Sequence, residues 1–476
     1  MKKILIPILL LFAHIAHAQL NNSWIDYSKT YYKFRIATTG LYRINQPVLT
    51  AAGLGNIPAE QFQLWHNGKE ERIYTSQSSG QLGTADYIEF WGKMNDGSID
   101  NPLYLDPNGQ LCDSFSLFTD TASYFLTVNA GNNLRYVSDS NRIAGNTLSA
   151  DQYFMRNATV AYRNMQNPGF AMDAGEFVYS AAYDLGEGWT SNNISANGGD
   201  AVQQINNLNV YTAGPSNSLS CYITAAGNDV DTRNIHVIIS NSTILDTAVA
   251  NFNVLKKQVN NLPLSLLQNP NFVQVGIGID NSNDPVNDRI VLGQLSITYP
   301  ATFNFNGQRN FYFELQPSAV GDYLVINNFN NGSAQPVLYD ITNGLRYIGD
   351  ISIANQVRFV LPASVSSSRK FILVNEESAN ISTINSLSSK TFINFGFAAN
   401  QGDYLIISNP VLYNDGQGNN YVDQYRAYRS SLDGGSYNAK VIDINELNDQ
   451  FAFGVKKTPG CNKRFYTLYS NVVGKT

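Results

Sequence analysis

The chain has 476 residues, of which 43% are hydrophobic, 12% aromatic and only 14% charged, against about 25% charged in ordinary soluble domains. This length supports about two to four domains with cores of their own. The balance of Lys+Arg 31 against Asp+Glu 37, a net charge of −6 without blocks of one sign, excludes nucleic acid as a partner, and the composition excludes disorder and charged coiled coils. Tyr 28 and Phe 25 amid many Asn, Ser, Thr and Gly point instead to an extracellular β-protein, in which short strands alternate with polar turns.

Lys2-Lys3, the apolar run Ile4 to Ala13 and the small-residue site Ala16-His17-Ala18 form a signal peptide over residues 1–18, so the mature chain is expected to begin near Gln19 and to be exported. No later run approaches the roughly 18 apolar residues of a transmembrane helix. The three cysteines, Cys112, Cys221 and Cys461, are too few and too scattered for a disulfide scaffold.

Residues 19–149 are expected to form a β-rich domain. Phe62 to Trp65 and Lys69 to Tyr74 flank Asn67-Gly68, the pair that a tight hairpin turn prefers because both positions need positive φ. Gln46-Pro47-Val48-Leu49, running to Ala52 and stopping at Gly53, is a short helix with Pro in its first turn and Gly at its end. Residues 150–305 carry evenly spaced strands, Leu208 to Tyr211, Leu219 to Ile223, Ile235 to Ile239, Val273 to Ile279 and Ile290 to Ile297, separated by Gly, Asn, Asp and Pro, which predicts a jelly-roll-like sandwich. Residues 306–386, from Phe311-Tyr312-Phe313 to Phe371 to Val374, predict a smaller sandwich. In 387–476 the pattern changes: Asp403 to Ser408 and Ala439 to Ile444 are continuous apolar runs of the kind that strands buried on both faces show, and Tyr421, Tyr425, Tyr428 and Leu432 have helical spacing before Gly434-Gly435. Strand, helix, strand, helix opens a parallel α/β domain.

Gly40-Leu41-Tyr42-Arg43-Ile44, Leu64-Trp65-His66-Asn67-Gly68-Lys69-Glu70, Asp86-Tyr87-Ile88-Glu89-Phe90-Trp91-Gly92, Ser116 to Thr121, Tyr425-Arg426-Ala427-Tyr428-Arg429 and Val441 to Leu447 resemble segments of the gingipain family of cysteine peptidases, in particular its large surface members in Bacteroidetes that act as sortases of type IX secretion. The resemblance implies β-domains serving as pro-region or scaffold, followed by a caspase-like α/β peptidase domain with a His/Cys dyad on loops after later strands. In this family the dyad lies downstream of Phe453-Gly454, where the sequence instead has Thr458-Pro459-Gly460-Cys461-Asn462-Lys463-Arg464. The chain is therefore expected to be the front of such a peptidase, truncated before its dyad and inactive by itself. The partners that follow are outer-membrane or secretion-system components, with protein substrates only where the full peptidase domain exists.

The residues themselves offer few chemical groups. A thiolate needs a base within hydrogen-bond reach, and with His14 and His17 leaving in the signal only His66 and His236 remain, in other regions than Cys461. Both read as structural histidines, and Cys461 reads as a free thiol on a frayed tail. Asp280-Asn281-Ser282-Asn283-Asp284 with Asn287-Asp288, and Asn95-Asp96-Gly97 with Asp100, crowd oxygen ligands that suit calcium, although Asn and Asp are also the ordinary turn residues. Trp189 could offer a carbohydrate platform, core packing being the plainer role. No catalytic, cofactor-binding or metal-ligating residue is assigned. The alternative to a peptidase front is a non-catalytic β-sandwich scaffold, adhesion or carbohydrate-binding module.

Overall fold

The computed structural model describes residues 22–365, 368–456 and 458–473; the signal peptide expected over residues 1–18 lies outside these. The chain is mainly β, in tandem β-domains followed by a small α/β part, and divides into two compact units, Thr30–Lys390 and a second built from the residues before Thr30 together with those from Thr391 onward.

In the β-unit, alternating residues of strands Tyr31–Ile36, Phe62–His66 and Ala122–Val128 form an antiparallel sheet. It shares one core with the sheet of Gly40–Asn45, Tyr87–Gly92 and Tyr74–Thr75, where Phe34, Ile44, Phe62, Leu64, Ile88, Phe90 and Tyr124 are buried. The Asn67-Gly68 turn forms as expected, at φ 48° and 72°, and the short helix α1 spans Gln46–Ala51. Each sheet is completed from far along the chain: Ser388–Lys390 pairs with Tyr31–Ile36, and Ile381–Thr383 lies parallel to Gly40–Asn45.

The sandwich places strands Leu219–Gly227, Arg289–Ala301, Val254–Leu262 and Phe154–Ala161 in one sheet, and Ala201–Asn206, Phe272–Asp280, Thr232–Ile239 and Ser242–Ala250 in the other. The segment from Leu208, expected as a strand, pairs as β only through an isolated bridge from Val210 to Ala301; its polar neighbours Ala201–Asn206 make the strand instead. Phe154, Phe303, Phe305 and Phe313 then carry the same core without a break into the sheet of Asn310–Leu315, Arg369–Val374, Val337–Asp340 and Leu345–Ile348. Val137–Asp139 adds a parallel strand to that sheet.

In the second unit, Tyr404–Ser408 and Ala439–Asp443 pair in parallel, joined through helix α2, Tyr421–Ser430. Both strands were expected to be buried on two faces. Tyr404–Ser408 is instead half-buried, with Ile407 exposed: Leu405 packs on the core of α3, Ile444–Phe451, and α4, Gly460–Val473, while Tyr404 meets Tyr425 and Arg429 of the exposed α2 and Tyr437. The core there is Phe395, Ile442, Leu447, Phe451, Cys461 and Phe465. Cys461 therefore lies inside a packed helix, not on a frayed tail.

Candidate functional site

Peptide cleavage of the gingipain kind requires a thiolate beside an imidazole. The imidazole of His66, on a strand that leads into the Asn67-Gly68 turn, stacks on Tyr124 with centroids 4.3 Å apart and meets Glu71 at 3.3 Å. His236 projects from Thr232–Ile239, with Nε2 2.9 Å from Asp200 and Nδ1 2.7 Å from Asp280. Both rings are thus engaged within the β-unit. The thiols are equally occupied. Cys461 donates to Thr458 O at 3.2 Å, and burial pushes its pKa up to about 11. Cys221 is buried in the sandwich core, which raises its pKa to about 12. Cys112 accepts from Ser114 N and faces Gln294, with burial again raising it. A thiol held neutral by burial is a poor nucleophile.

In the acidic loops many carboxylate oxygens accept hydrogen bonds from the loops and their neighbours. Asp231 accepts from Ser282 Oγ and Asp284 N, Asp284 caps Asn287, and Asp288 is buried against Arg233 at 2.7 Å. In the other loop Asp96 caps Ser98 while Asp100 accepts from Ser116 Oγ and Leu117 N. Among the described residues no group of three His, Cys, Asp or Glu side chains could hold a metal ion. Trp189 is half-buried, donates to Ser116 O at 3.0 Å and carries the Arg163 guanidinium over its ring at 5.0 Å, so its face is already covered.

Sequence reasoning missed a buried charge network. Glu89, fully buried in the middle of Tyr87–Gly92, is held by Arg43 Nε at 2.6 Å and by the Tyr339 hydroxyl. Arg43 and Arg346 both reach Glu376, at 3.3 and 2.6 Å. Arg43 also stacks over Tyr87, and Arg346 over Tyr74. Burial, followed by the neighbouring Glu376 charge, lifts the Glu89 pKa to about 7. The signal available was a Glu between Ile88 and Phe90, on a strand whose alternation should have sent it outward with Tyr87 and Trp91. The network ties the sheet of Gly40–Asn45 and Tyr87–Gly92 to the sheet of Val337–Asp340 and Leu345–Ile348.

In the second unit the two parallel strands end at Ser408 and Asp443, the edge of an α/β sheet where sites form. Asn409 there caps Val411 and Asp443 caps Asn445 at the start of α3. These groups position backbone and leave no reactive pair at that edge among the described residues.

No family profile matches the sequence, and no curated protein does. Among solved structures, latent PorU from Porphyromonas gingivalis, solved as a dimer, matches with a TM-score of 0.54 at 13% identity over 95% of this chain and 40% of that one. The fold is PorU-like. The chain thus spans less than half the length of that structure. Two CBM36 carbohydrate-binding modules, one in complex with calcium and xylotriose and one from a xylanase of the hindgut metagenome of Trinervitermes trinervoides, match at TM-scores of 0.19 and 0.18 and at 10% and 8% identity, covering 29% and 30% of this chain and 98% and 96% of theirs. A likeness that slight bears on neither fold nor ligand. Among the described residues no helix is long and apolar enough to cross a membrane.

Proposed function

We propose that this chain is an exported surface scaffold of the PorU kind, a set of β-domains carrying the opening of a gingipain-type α/β peptidase unit, and that its own residues do not cleave peptides. The supporting observation is the PorU-like fold, which runs through 95% of the chain. The three thiols, each buried or half-buried and none paired with an imidazole among the described residues, support the second clause. On this reading the scaffold is held at the outer-membrane surface by secretion-system components, and protein substrates belong to a longer protein with a His/Cys dyad.

Purified chain incubated with Arg, Lys and generic peptide substrates under reducing conditions should show no thiol-dependent hydrolysis above blank. Hydrolysis that disappears in Cys461→Ala would overturn the reading.

A further inference from the structure

A groove of about 660 Å3 opens on the β-unit between strand Phe154–Ala161 of the sandwich and strand Asn310–Leu315 of the sheet that follows it. Among the described strands, each pairs on one side only, with Arg289–Ala301 and Arg369–Val374 respectively. The two strands thus bring their unpaired edges to a common hollow, which side chains of both line. None of the groups weighed in the sequence lies here.

We propose that this groove binds a short neutral oligosaccharide. Its rim is rich in primary amides: Asn157, Asn206, Asn306, Gln308, Asn310 and Gln316. An amide donates and accepts at once, as a sugar hydroxyl does, so the two match without ionisation of either. The lining carries one cation, Arg156, and one carboxylate, Glu314. Their charges cancel, and a charged polymer finds no net field. The groove's apolar lining is the side chain of Met155 and the rings of Phe154, Phe311, Tyr312 and Phe313. The open ring is Tyr312, 50% exposed with its hydroxyl bonded to Glu314, while Phe311 forms the floor, stacked on Phe305 at 3.9 Å and covered by the Arg156 guanidinium. An open ring face suits the C–H side of a pyranose, which a peptide's alternating side chains do not match.

Much of the rim is already fixed. Arg156 Nη1 donates to the carbonyls of Asn207 and Leu208, and Asn306 Nδ2 to Asn207 O at 3.2 Å. Asn157 Nδ2 donates to Thr298 Oγ1 at 2.9 Å, while Asn310 and Asn380 exchange amide hydrogen bonds at 3.0 and 2.8 Å. Groups held in place before binding lose little entropy on binding. This inference is independent of the PorU-like reading, because it uses only the β-unit's own surface.

The test is an array of neutral oligosaccharides probed with the full chain, followed by titration calorimetry with the best binder. Tyr312→Ala should weaken binding by about tenfold or more, and Gln308→Ala severalfold. Tyr312→Phe, which keeps the ring, should lose only a fewfold, and Tyr179→Ala, an exposed ring on the Glu176–Ser180 hairpin strand, should change nothing. Melting curves identify any variant that fails to fold, in which case Tyr312→Phe and Gln308→Ala decide. Absence of binding to every neutral glycan on the array would overturn the proposal. So would binding unaffected by both Tyr312→Ala and Gln308→Ala, or a preference for unstructured peptides, which would assign the groove to strand pairing.

Discussion

The two units differ most between the arginines buried in the first and the outer helix α2 of the second. In Thr30–Lys390 even guanidinium groups are buried: Arg369 is 0% exposed, bridging Asp340 at 2.7 Å and Asp322 at 3.3 Å, and Arg233 is 0% exposed against Asp288. In the second unit a leucine, Leu432, is 90% exposed, and Tyr421 and Tyr428 of α2 stand in solvent. The difference follows from layers. Stacked sheets enclose whatever lies between them, so their charges must be paired there, whereas α2 lies against Tyr404 of a two-stranded sheet and buries none of its own residues. Residue type ranks what is buried only when there are enough layers to bury it.

The strongest way to break this contrast is at Arg369. Arg369→Met leaves Asp340 buried without its cation and should destabilise the β-unit by about 3–5 kcal/mol, read as a lower midpoint in urea with the slope unchanged. Arg369→Met combined with Asp340→Leu should recover most of that loss. Equal loss in both variants would show that packing, not charge, is what the site needs.

Next in size is the pH response of Glu89. Its carboxyl ionises at an ordinary 4.5 when unfolded and at about 7 when folded, so the folded state holds the proton more tightly. The resulting stability is complete below about pH 4.5, falls as pH rises, and is lost above about 7, by about 3 kcal/mol at most. The melting temperature of the β-unit should decline between pH 5 and pH 8, and Glu89→Gln should flatten that slope. A profile that is equally steep in Glu89→Gln would place the titration elsewhere.

The smallest effect sharpens the comparison from the other side. Helix α2 buries none of its residues, so it opens at little cost. Limited trypsin digestion should cut at Arg426 or Arg429 before any site in Thr30–Lys390. Early cleavage within the sandwich, with α2 intact, would reverse the order of stability proposed here.

How much of this was legible depended on burial. Leu219 to Ile223, Val273 to Ile279 and the parallel pair at Tyr404 and Ala439 announced themselves because apolar residues are spaced or clustered as strands require. Ser242–Ala250 and Val254–Leu262 did not: each is the outer strand of its sheet, mostly exposed, and Lys256-Lys257-Gln258 reads as a loop. Cys461 was misjudged because Gly460-Cys461-Asn462-Lys463 begins with turn-formers, while the spacing of Cys461, Phe465 and Tyr469 along one face of α4 is helical. Trp189 is half-buried under Arg163, and the acidic loops carry internal hydrogen bonds, contacts with no sign in the sequence. Glu89 was hidden because a carboxylate between two apolar residues gives no sign of which distant arginine will meet it. The groove was hidden for the same reason, since Arg156 and Tyr312 belong to strands far apart in the chain.

The pairing of Tyr31 with Lys390 has a consequence for how the protein is made. The first and last strands of the β-unit lie side by side, so the whole of Thr30–Lys390 is an insertion within the other unit. That unit's opening residues, Trp24 against Phe392 at 5.4 Å and Tyr27 bonded to Gln450, are synthesised first and find their partners last. They must wait, solvated, until the β-unit has closed its own ends and thereby turned a very long loop into a short one. Assembly is thus ordered by chain topology: the inserted body folds alone, and the unit that surrounds it in sequence folds only afterwards.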